Sequence, residues 1–172
     1  MGMSNYINFR HTINLQCSGA QVSFAAPLDF DGHIEPGRLV YNDLFTIYPF
    51  ENQLFTVRMS GKEIKDYLEL SYDRWINTVS SGGRKREHLL KIENAPDPRT
   101  GSVQWSFVNR AYNFDSAAGL VYTVDITKPA GERVHITSLA SGESFACDGI
   151  YEVAMTSYRA SGGGGLMKYG AG

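Results

Sequence analysis

The sequence lacks the residues and spacings that mark several classes of protein. Only two cysteines, Cys17 and Cys147, occur in 172 residues, so one disulfide is possible but no disulfide framework is implied. The histidines stand alone, without CxxC or HxxxH pairings, and the sequence therefore predicts no self-sufficient zinc or two-metal site. We expect every histidine to lie at the surface or on a polar rim. They are His11, His33, His88 and His135.

Long tracts of one charge and long apolar runs are also missing. The net charge is −2, and the cationic run Arg84–Arg86 is only three residues long, so binding to a DNA or RNA polymer is not expected. No apolar run approaches the ~20 residues that a membrane span needs. Residues 1–10 lack the charged-then-apolar pattern of a secretory leader. Either the chain is cytosolic, or a leader and more have been removed.

What is present predicts one α+β domain over residues 1–172. The apolar share is 42%, which suffices for one ordinary domain with a real core, or at most two small lobes. Strand-like segments outnumber helical ones and do not alternate regularly with them, which favours α+β over a doubly wound sheet. Polar residues 77–101 predict a long surface excursion and the main site of disorder. The strand-like segments are residues 22–24, 54–59, 103–107, 121–126 and 151–155.

Capping and turn residues predict two helices. Residues 42–47 begin with Asn-Asp, which can cap a short helical turn, and Pro49 stops it. Residues 60–63 have the Ser-x-x-Glu spacing of a capping box. Apolar residues then recur every three or four positions, so an amphipathic helix is predicted to end near residues 75–76. Residues 7–15 alternate only weakly between apolar and polar.

The most informative pattern lies near the end of the chain. The apolar residues 151–155 lead into Tyr158 and Arg159, and the glycines Gly162–Gly165 follow. A bare backbone lets a ligand approach closely. An aromatic face beside it suits a flat polar ring such as a nucleobase. The same pattern is also typical of a plain glycine hinge after an edge strand.

Four segments, in this order, resemble one protein family. Residues 40–54 (VYNDLFTIYPFENQL) resemble its DLF…PFxNxL block, and residues 59–65 (MSGKEIK) resemble its strand-to-helix (T/S)G…LK block. Residues 119–134 are similar to its GhxYxhDhxxPxGxRV block, and residues 157–163 (SYRASGG) complete the order. The family is the C-terminal, substrate-binding domain of the 5′-nucleotidase / 2′,3′-cyclic-nucleotide 2′-phosphodiesterase proteins. The resemblance covers residues 17–165.

The resemblance implies a nucleotide-recognition domain with mixed β-sheets and a few packed helices. In that family a separate metallophosphoesterase domain holds two divalent metal ions, and a hinge rotation carries the clamped nucleotide to them. The family's Asp-x-His and Gly-Asn-His-Asp/Glu metal motifs are absent from this sequence, so the metals and the turnover are expected in a catalytic domain, in cis or in trans. The resemblance also implies a periplasmic or cell-surface location, where members of this family are usually found. The alternative is a free-standing nucleotide-binding, nucleoside-binding or surface interaction module.

The resemblance also assigns a base clamp. Its two rings are Phe50 and Tyr158, which sandwich the base, although Phe50 alone also reads as a core residue after a turn. Gly119 stands where the family lets a backbone amide face the edge of the base. A side chain at that position would push the ring out of the slot.

Three polar residues complete the predicted binding site. Asn113 and Asp115 are placed to hydrogen-bond the base or ribose, or else simply to form a turn. Arg159 is adjacent to the clamp and either meets phosphate or ribose or is a solvated arginine beside a turn. The residues alone do not decide between these alternatives.

One departure from the family bears on the phosphate. The 5′-nucleotidase branch carries an Asn-Gly-Gly-Gly-Ile-Arg loop whose arginine binds phosphate, but residues 24–31 here read FAAPLDFD and have no arginine. Asp29 and Asp31 would repel a phosphate dianion. This loop and the Tyr-Arg-Ala at residues 158–160 resemble the 2′,3′-cyclic-phosphodiesterase / 3′-nucleotidase branch more closely. A cyclic ester carries one negative charge, so the missing arginine matters less to it.

Overall fold

Helices and strands mix along the chain, whose computed structural model describes residues 5–28, 34–38, 40–79, 89–97 and 99–167. The helices are α1 (Asn5–Ser18), α2 (Tyr41–Ile47), α3 (Gly61–Trp75) and α4 (Ser157–Ala160), with 3₁₀ turns at Ala111–Asn113 and Gly163–Gly165. The strands are β1 (Val22–Ala25), β2 (Leu54–Ser60), β3 (Ile92–Pro96), β4 (Val103–Phe107), β5 (Ser116–Ala118), β6 (Leu120–Val124), β7 (Val134–Leu139) and β8 (Ile150–Thr156).

A mixed sheet forms the centre, with strand order β2-β8-β1-β5. Strand β8 runs parallel to β1 and antiparallel to β2, while β1 and β5 are antiparallel. Two hairpins, β3–β4 and β6–β7, stand beside this sheet. Because the strands do not alternate with helices in βαβ units, the α+β prediction is confirmed.

Helix α3 packs on the sheet as its sequence pattern predicts. The Ser60 hydroxyl accepts from the Glu63 N–H, and the Glu63 carboxylate accepts from the Ser60 N–H, so the capping box is present. The buried face of α3 carries Ile64, Tyr67 and Leu68, each fully shielded from solvent. The helix ends at residue 75, because Ile76 has extended backbone angles.

Helix α1 departs from the sequence expectation. The weak alternation over residues 7–15 belongs to a helix whose inward face carries polar side chains, Arg10 and His11, beside Ile7. Apolar periodicity therefore could not mark it. The expectation that His11 is a surface or rim residue is wrong, because His11 is buried, with its ring nitrogens 3.0 and 3.1 Å from the hydroxyls of Ser23 and Ser116.

The excursion at residues 77–101 is in part a hairpin. Strand β3 pairs antiparallel with β4 in register from Ile92–Phe107 to Pro96–Val103, so the segment predicted as a long surface excursion contains one strand that its sequence did not indicate. Residues 80–88 and 98 lie outside the described residues.

Both cysteines are exposed free thiols. Within the described ranges, no helix has the length and apolar character to cross a membrane.

The burial of His11 makes stability depend on pH. Burial, and then the positive charge of Arg10, lower the pKa of His11 from 6.5 to about 4. Between these values the unfolded chain binds a proton that the folded chain does not. The stabilisation is therefore complete above pH 6.5 and is lost as the pH falls towards 4, by up to about 3 kcal/mol.

Urea denaturation across this pH range should show the effect. His11→Gln, which removes the titrating group, should flatten the slope between pH 6.5 and 4, while His135→Gln, at an exposed position on β7, should leave it unchanged. An unaltered slope in the His11 variant would contradict the assignment.

Candidate functional site

A cavity of about 580 Å³ opens where five parts of the chain meet. They are the middle of α1, the end of β1 with the residues that follow it, the segment before β2, the segment before β5, and the junction of β8 with α4. The lining residues are Arg10, Phe24, Ala25, Ala26, Leu28, Tyr48, Phe50, Glu51, Asn52, Arg110, Tyr112, Asp115, Thr156, Tyr158 and Arg159.

Five aromatic residues line this cavity, and three of them, Phe50, Tyr112 and Tyr158, contact one another in sequence through Tyr112. Phe50 is 48% exposed and Tyr158 is 42% exposed, so neither is a core residue. Both meet Tyr112 edge-on: the ring centroid of Tyr112 lies 6.3 Å from that of Phe50 at an interplanar angle of 68°, and 6.5 Å from that of Tyr158 at 80°. Tyr112 thus contacts both Phe50 and Tyr158 at the wall of the cavity.

Asn52 ties the segment before β2 to the start of α4. Its side-chain amide donates to the Tyr48 hydroxyl at 2.8 Å, and its side-chain oxygen accepts from the Ser157 hydroxyl and the Tyr158 N–H, both at 3.2 Å. Gln53 adds two bonds: its N–H donates to Ser157 Oγ at 3.1 Å, and its carbonyl accepts from the Ser157 N–H at 2.8 Å. These bonds preorganise the walls, which reduces the ordering entropy that a ligand must overcome.

The glycine turn after α4 supports the Tyr158 ring. A Cβ on Gly163 would lie 2.5 Å from ring carbon Cε2 of Tyr158, so only a bare backbone allows this contact. Gly162 and Gly164 have φ angles of 91° and 71°, which glycine adopts without the steric cost of a side chain. The aromatic ring and the bare backbone that the sequence pattern indicates are in contact.

A buried ion pair lies behind the rings. Arg159 Nε and Nη2 donate to the Asp115 carboxylate oxygens at 2.8 and 2.9 Å, and the two residues are only 3% and 2% exposed. Arg159 also donates to the carbonyls of Gly163 and Tyr112, at 2.6 and 2.8 Å. Burial opposes the guanidinium charge, but the charge and hydrogen bonds of the Asp115 carboxylate, together with the nearby Tyr67 and Tyr158, raise the pKa of Arg159 above its ordinary value.

Asp115 also connects the cavity with the core. Tyr67 on α3 donates its hydroxyl to the Asp115 carboxylate. Burial, followed by the Asp115 charge, raises the pKa of that hydroxyl well above its ordinary value. Ser71 accepts from the Asp115 N–H at 2.9 Å and donates to its carbonyl at 2.7 Å. The Tyr67 ring stacks at 4.1 Å on Phe24, which lines the cavity.

These contacts decide between alternatives that the sequence left open. Asp115 and Arg159 both line the cavity, but their charges neutralise each other. Arg159 is therefore not a solvated arginine, and its donors are directed at one carboxylate and two carbonyls rather than towards a phosphate. Asp115 is more than a turn residue, because its carboxylate accepts from both Tyr67 and Arg159.

Two predicted binding residues lie outside the cavity. Gly119 borders a second, apolar cavity of about 730 Å³, so its predicted place at the base edge does not fit this structure. Its φ is 85°, and a Cβ there would lie 2.0 Å from the Gln21 carbonyl oxygen, so a close backbone approach explains the glycine. Asn113 lies in a 3₁₀ turn, where its buried Oδ1 accepts no hydrogen bond from the described residues.

The lining residues that the sequence did not predict include Tyr112, Asn52 and Arg10. Tyr112 precedes Asn113 in a Tyr-Asn-Phe-Asp run, and no local pattern marks it as a wall. Asn52 lies between Glu51 and Gln53 in the PFxNxL block, and its place in that block was the available indication. Arg10 lies on α1, which the apolar pattern does not predict.

Comparison with known proteins identifies the family. The family model described as 5′-nucleotidase, C-terminal domain, matches residues 2–170, and the chain belongs to this family. The trifunctional nucleotide phosphoesterase protein YfkN of Bacillus subtilis (strain 168) is 30% identical over 148 residues, which are 78% of this chain and 9% of that protein. A 2′,3′-cyclic-nucleotide 2′-phosphodiesterase/3′-nucleotidase of Salmonella typhimurium is 28% identical over 162 residues, 83% of this chain and 23% of that protein. The chain thus spans less than a quarter of the length of these curated relatives.

Solved structures share the fold. A Staphylococcus aureus chain described as a 5′-nucleotidase aligns with a TM-score of 0.70 and 23% identity, over 95% of this chain and 29% of that one. The 5′-nucleotidase precursor of Thermus thermophilus aligns with a TM-score of 0.59 and 22% identity, over 96% of this chain and 27% of that one. The α+β architecture predicted from the family resemblance is therefore confirmed.

The ion pair predicts a strong effect of removing one partner. Arg159→Gln leaves the buried Asp115 carboxylate without its counter-charge, so the free energy of unfolding should fall by about 3–5 kcal/mol. Urea denaturation measures this, with Arg58→Gln at an exposed position on β2 as the matched control. The double variant Asp115→Asn, Arg159→Gln should lose less than the sum of the single losses. Equal losses in the Arg58 and Arg159 variants would argue against the pair.

Proposed function

We propose that this chain is the nucleotide-recognition domain of a nucleotide phosphoester hydrolase, and that the cavity holds the base between Phe50 and Tyr158. One observation carries the proposal: these two half-exposed rings, from distant parts of the chain, line one cavity and both contact Tyr112. Large side chains with half their surface in water contribute little to a core. Their exposed faces are therefore available for stacking.

The size and chemistry of the cavity support a nucleotide. Ligand pockets commonly measure about 300–1,000 Å³, and this cavity of about 580 Å³ falls in that range. Stacking a base on an aromatic ring is worth about 1–3 kcal/mol per base and depends little on which base it is. The clamp therefore accounts for binding without setting a base preference.

Catalysis, in this proposal, belongs to a separate metallophosphoesterase domain. The curated relatives are far longer than this chain, which leaves room in them for such a domain. Among the residues that the structure describes, no group of three or more His, Cys, Asp or Glu side chains is arranged to hold a metal ion, so we assign the two divalent metals to the partner domain. The proposal extends to a periplasmic or cell-surface location.

Tyr158→Ala tests the clamp directly. Loss of one stacking face should weaken nucleoside binding by more than about 1 kcal/mol, measured by isothermal titration calorimetry. Tyr158→Phe should keep the affinity, because the ring remains. Tyr41→Ala removes an exposed aromatic of α2 that does not line the cavity and should bind as the wild type does. An unchanged affinity in folded Tyr158→Ala would refute the clamp.

Asn52 offers an independent test of wall positioning. Asn52→Ala removes three hydrogen bonds, two of which join the segment before β2 to α4, so nucleoside affinity should fall although Asn52 need not touch the base. Asn52→Asp keeps the acceptor for Ser157 and Tyr158 and should lose less. If Asn52→Ala binds as tightly as the wild type, the two walls do not depend on this residue.

A reconstitution assay separates the proposal from its alternative. The purified chain should hydrolyse no nucleotide alone, and turnover with Mn²⁺ should require an added metallophosphoesterase domain. Nucleoside binding without restored turnover would favour a free-standing binding module. Hydrolysis by the rigorously purified chain alone would contradict the assignment of catalysis to a separate domain.

A further inference from the structure

Arg10 is a buried arginine that reaches the cavity from α1. Only 8% of its surface is exposed, yet it lines the cavity wall. Its Nη1 donates to the Ala26 carbonyl, and its guanidinium carbon lies 4.9 Å from the ring centroid of Tyr48. These contacts hold the side chain by stacking on a ring and by one hydrogen bond, and they use one of its five N–H donors.

No carboxylate of the described residues forms an ion pair with Arg10. Arg159 and Asp115 neutralise each other. The other charged lining residues whose positions are described, Glu51 and Arg110, are both exposed, and they are opposite in sign. The buried positive charge of Arg10 is thus the uncompensated charge of the described cavity wall. Burying a charge without a partner is costly, and an anion in the cavity would offset that cost.

We propose that Arg10 is a ligand-binding residue of this cavity and that it takes the phosphate group of the bound nucleotide. The inference rests on the proposed function, since it places the phosphate of the same ligand whose base is clamped. A guanidinium fork matches two oxygens of a phosphate group. Arg10 supplies this cation from α1. It belongs neither to residues 24–31, which contain no arginine, nor to the glycine turn. One uncompensated guanidinium matches one negative charge, which a cyclic phosphodiester carries.

The test compares adenosine with adenosine 2′,3′-cyclic phosphate by isothermal titration calorimetry. The wild-type chain should bind the cyclic nucleotide about 10-fold more tightly than the nucleoside, the effect of charge-assisted hydrogen bonds. Arg10→Gln should reduce this ratio to about 1–2 while adenosine affinity stays within about 2-fold. Arg10→Lys should give an intermediate ratio, because it keeps the charge and loses the fork.

Control variants separate Arg10 from the other arginines and from the clamp. Arg38→Gln, at an exposed position that does not line the cavity, should leave the ratio unchanged. Tyr158→Ala should weaken both ligands equally and keep the ratio. An unchanged ratio in Arg10→Gln, or equal binding of the two ligands by the wild type, would overturn the proposal. A ratio lost only in Arg110→Gln would transfer the role to that residue and would also overturn it.

A second measurement keeps the two proposals distinguishable. If the wild type does not bind adenosine, the clamp fails, and Arg10 is then tested with inorganic phosphate alone. Millimolar phosphate should raise the melting temperature relative to chloride at equal ionic strength in the wild type and not in Arg10→Gln. No phosphate-specific stabilisation would overturn the role of Arg10. If Arg10→Gln does not fold, Arg10→Met, which keeps the apolar stem, takes its place with the same expectations.

Discussion

The buried pair of Asp115 and Arg159 is the interaction on which the cavity depends. It joins α3, through Tyr67 and Ser71, to the segment that carries Tyr112 and to the turn that supports Tyr158. A buried pair of this kind adds little to stability compared with apolar packing. Its contribution is positional, because its hydrogen bonds have few alternative partners once water is excluded.

The walls that carry Phe50 and Tyr158 are brought together by the sheet. Strand β2 pairs with β8 from Leu54–Thr156 to Ser60–Ile150, so the residues just before β2 lie beside those just after β8. Asn52 then adds hydrogen bonds across that junction. A preorganised slot of this kind suits stacking, because the rings need little further ordering when a flat ligand enters.

Much of the fold was predictable from local patterns. The capping box at Ser60 and Glu63 marks the start of α3, because both partners lie within one turn of each other. The missed elements, α1 and β3, lack such patterns. The inward face of α1 carries the polar residues Arg10 and His11, so α1 lacks the apolar stripe that marks a helix. In β3, Ile92 and Glu93 are both exposed, so this strand lacks the alternation of buried and exposed residues.

The sequence by itself determined the family, the α+β class, and the contact between an aromatic ring and a bare glycine backbone. Each of these follows from local patterns, in which the residues concerned are close together in the chain. Only the tertiary structure decided the state of each charge. Asp115 neutralises Arg159, whereas Arg10 lines the cavity without a carboxylate partner among the described residues. The tertiary structure also explains the glycine at position 119, because the backbone there comes close to the Gln21 carbonyl. Partners of this kind come from distant segments, so a side chain's role is set only when folding brings those segments into contact.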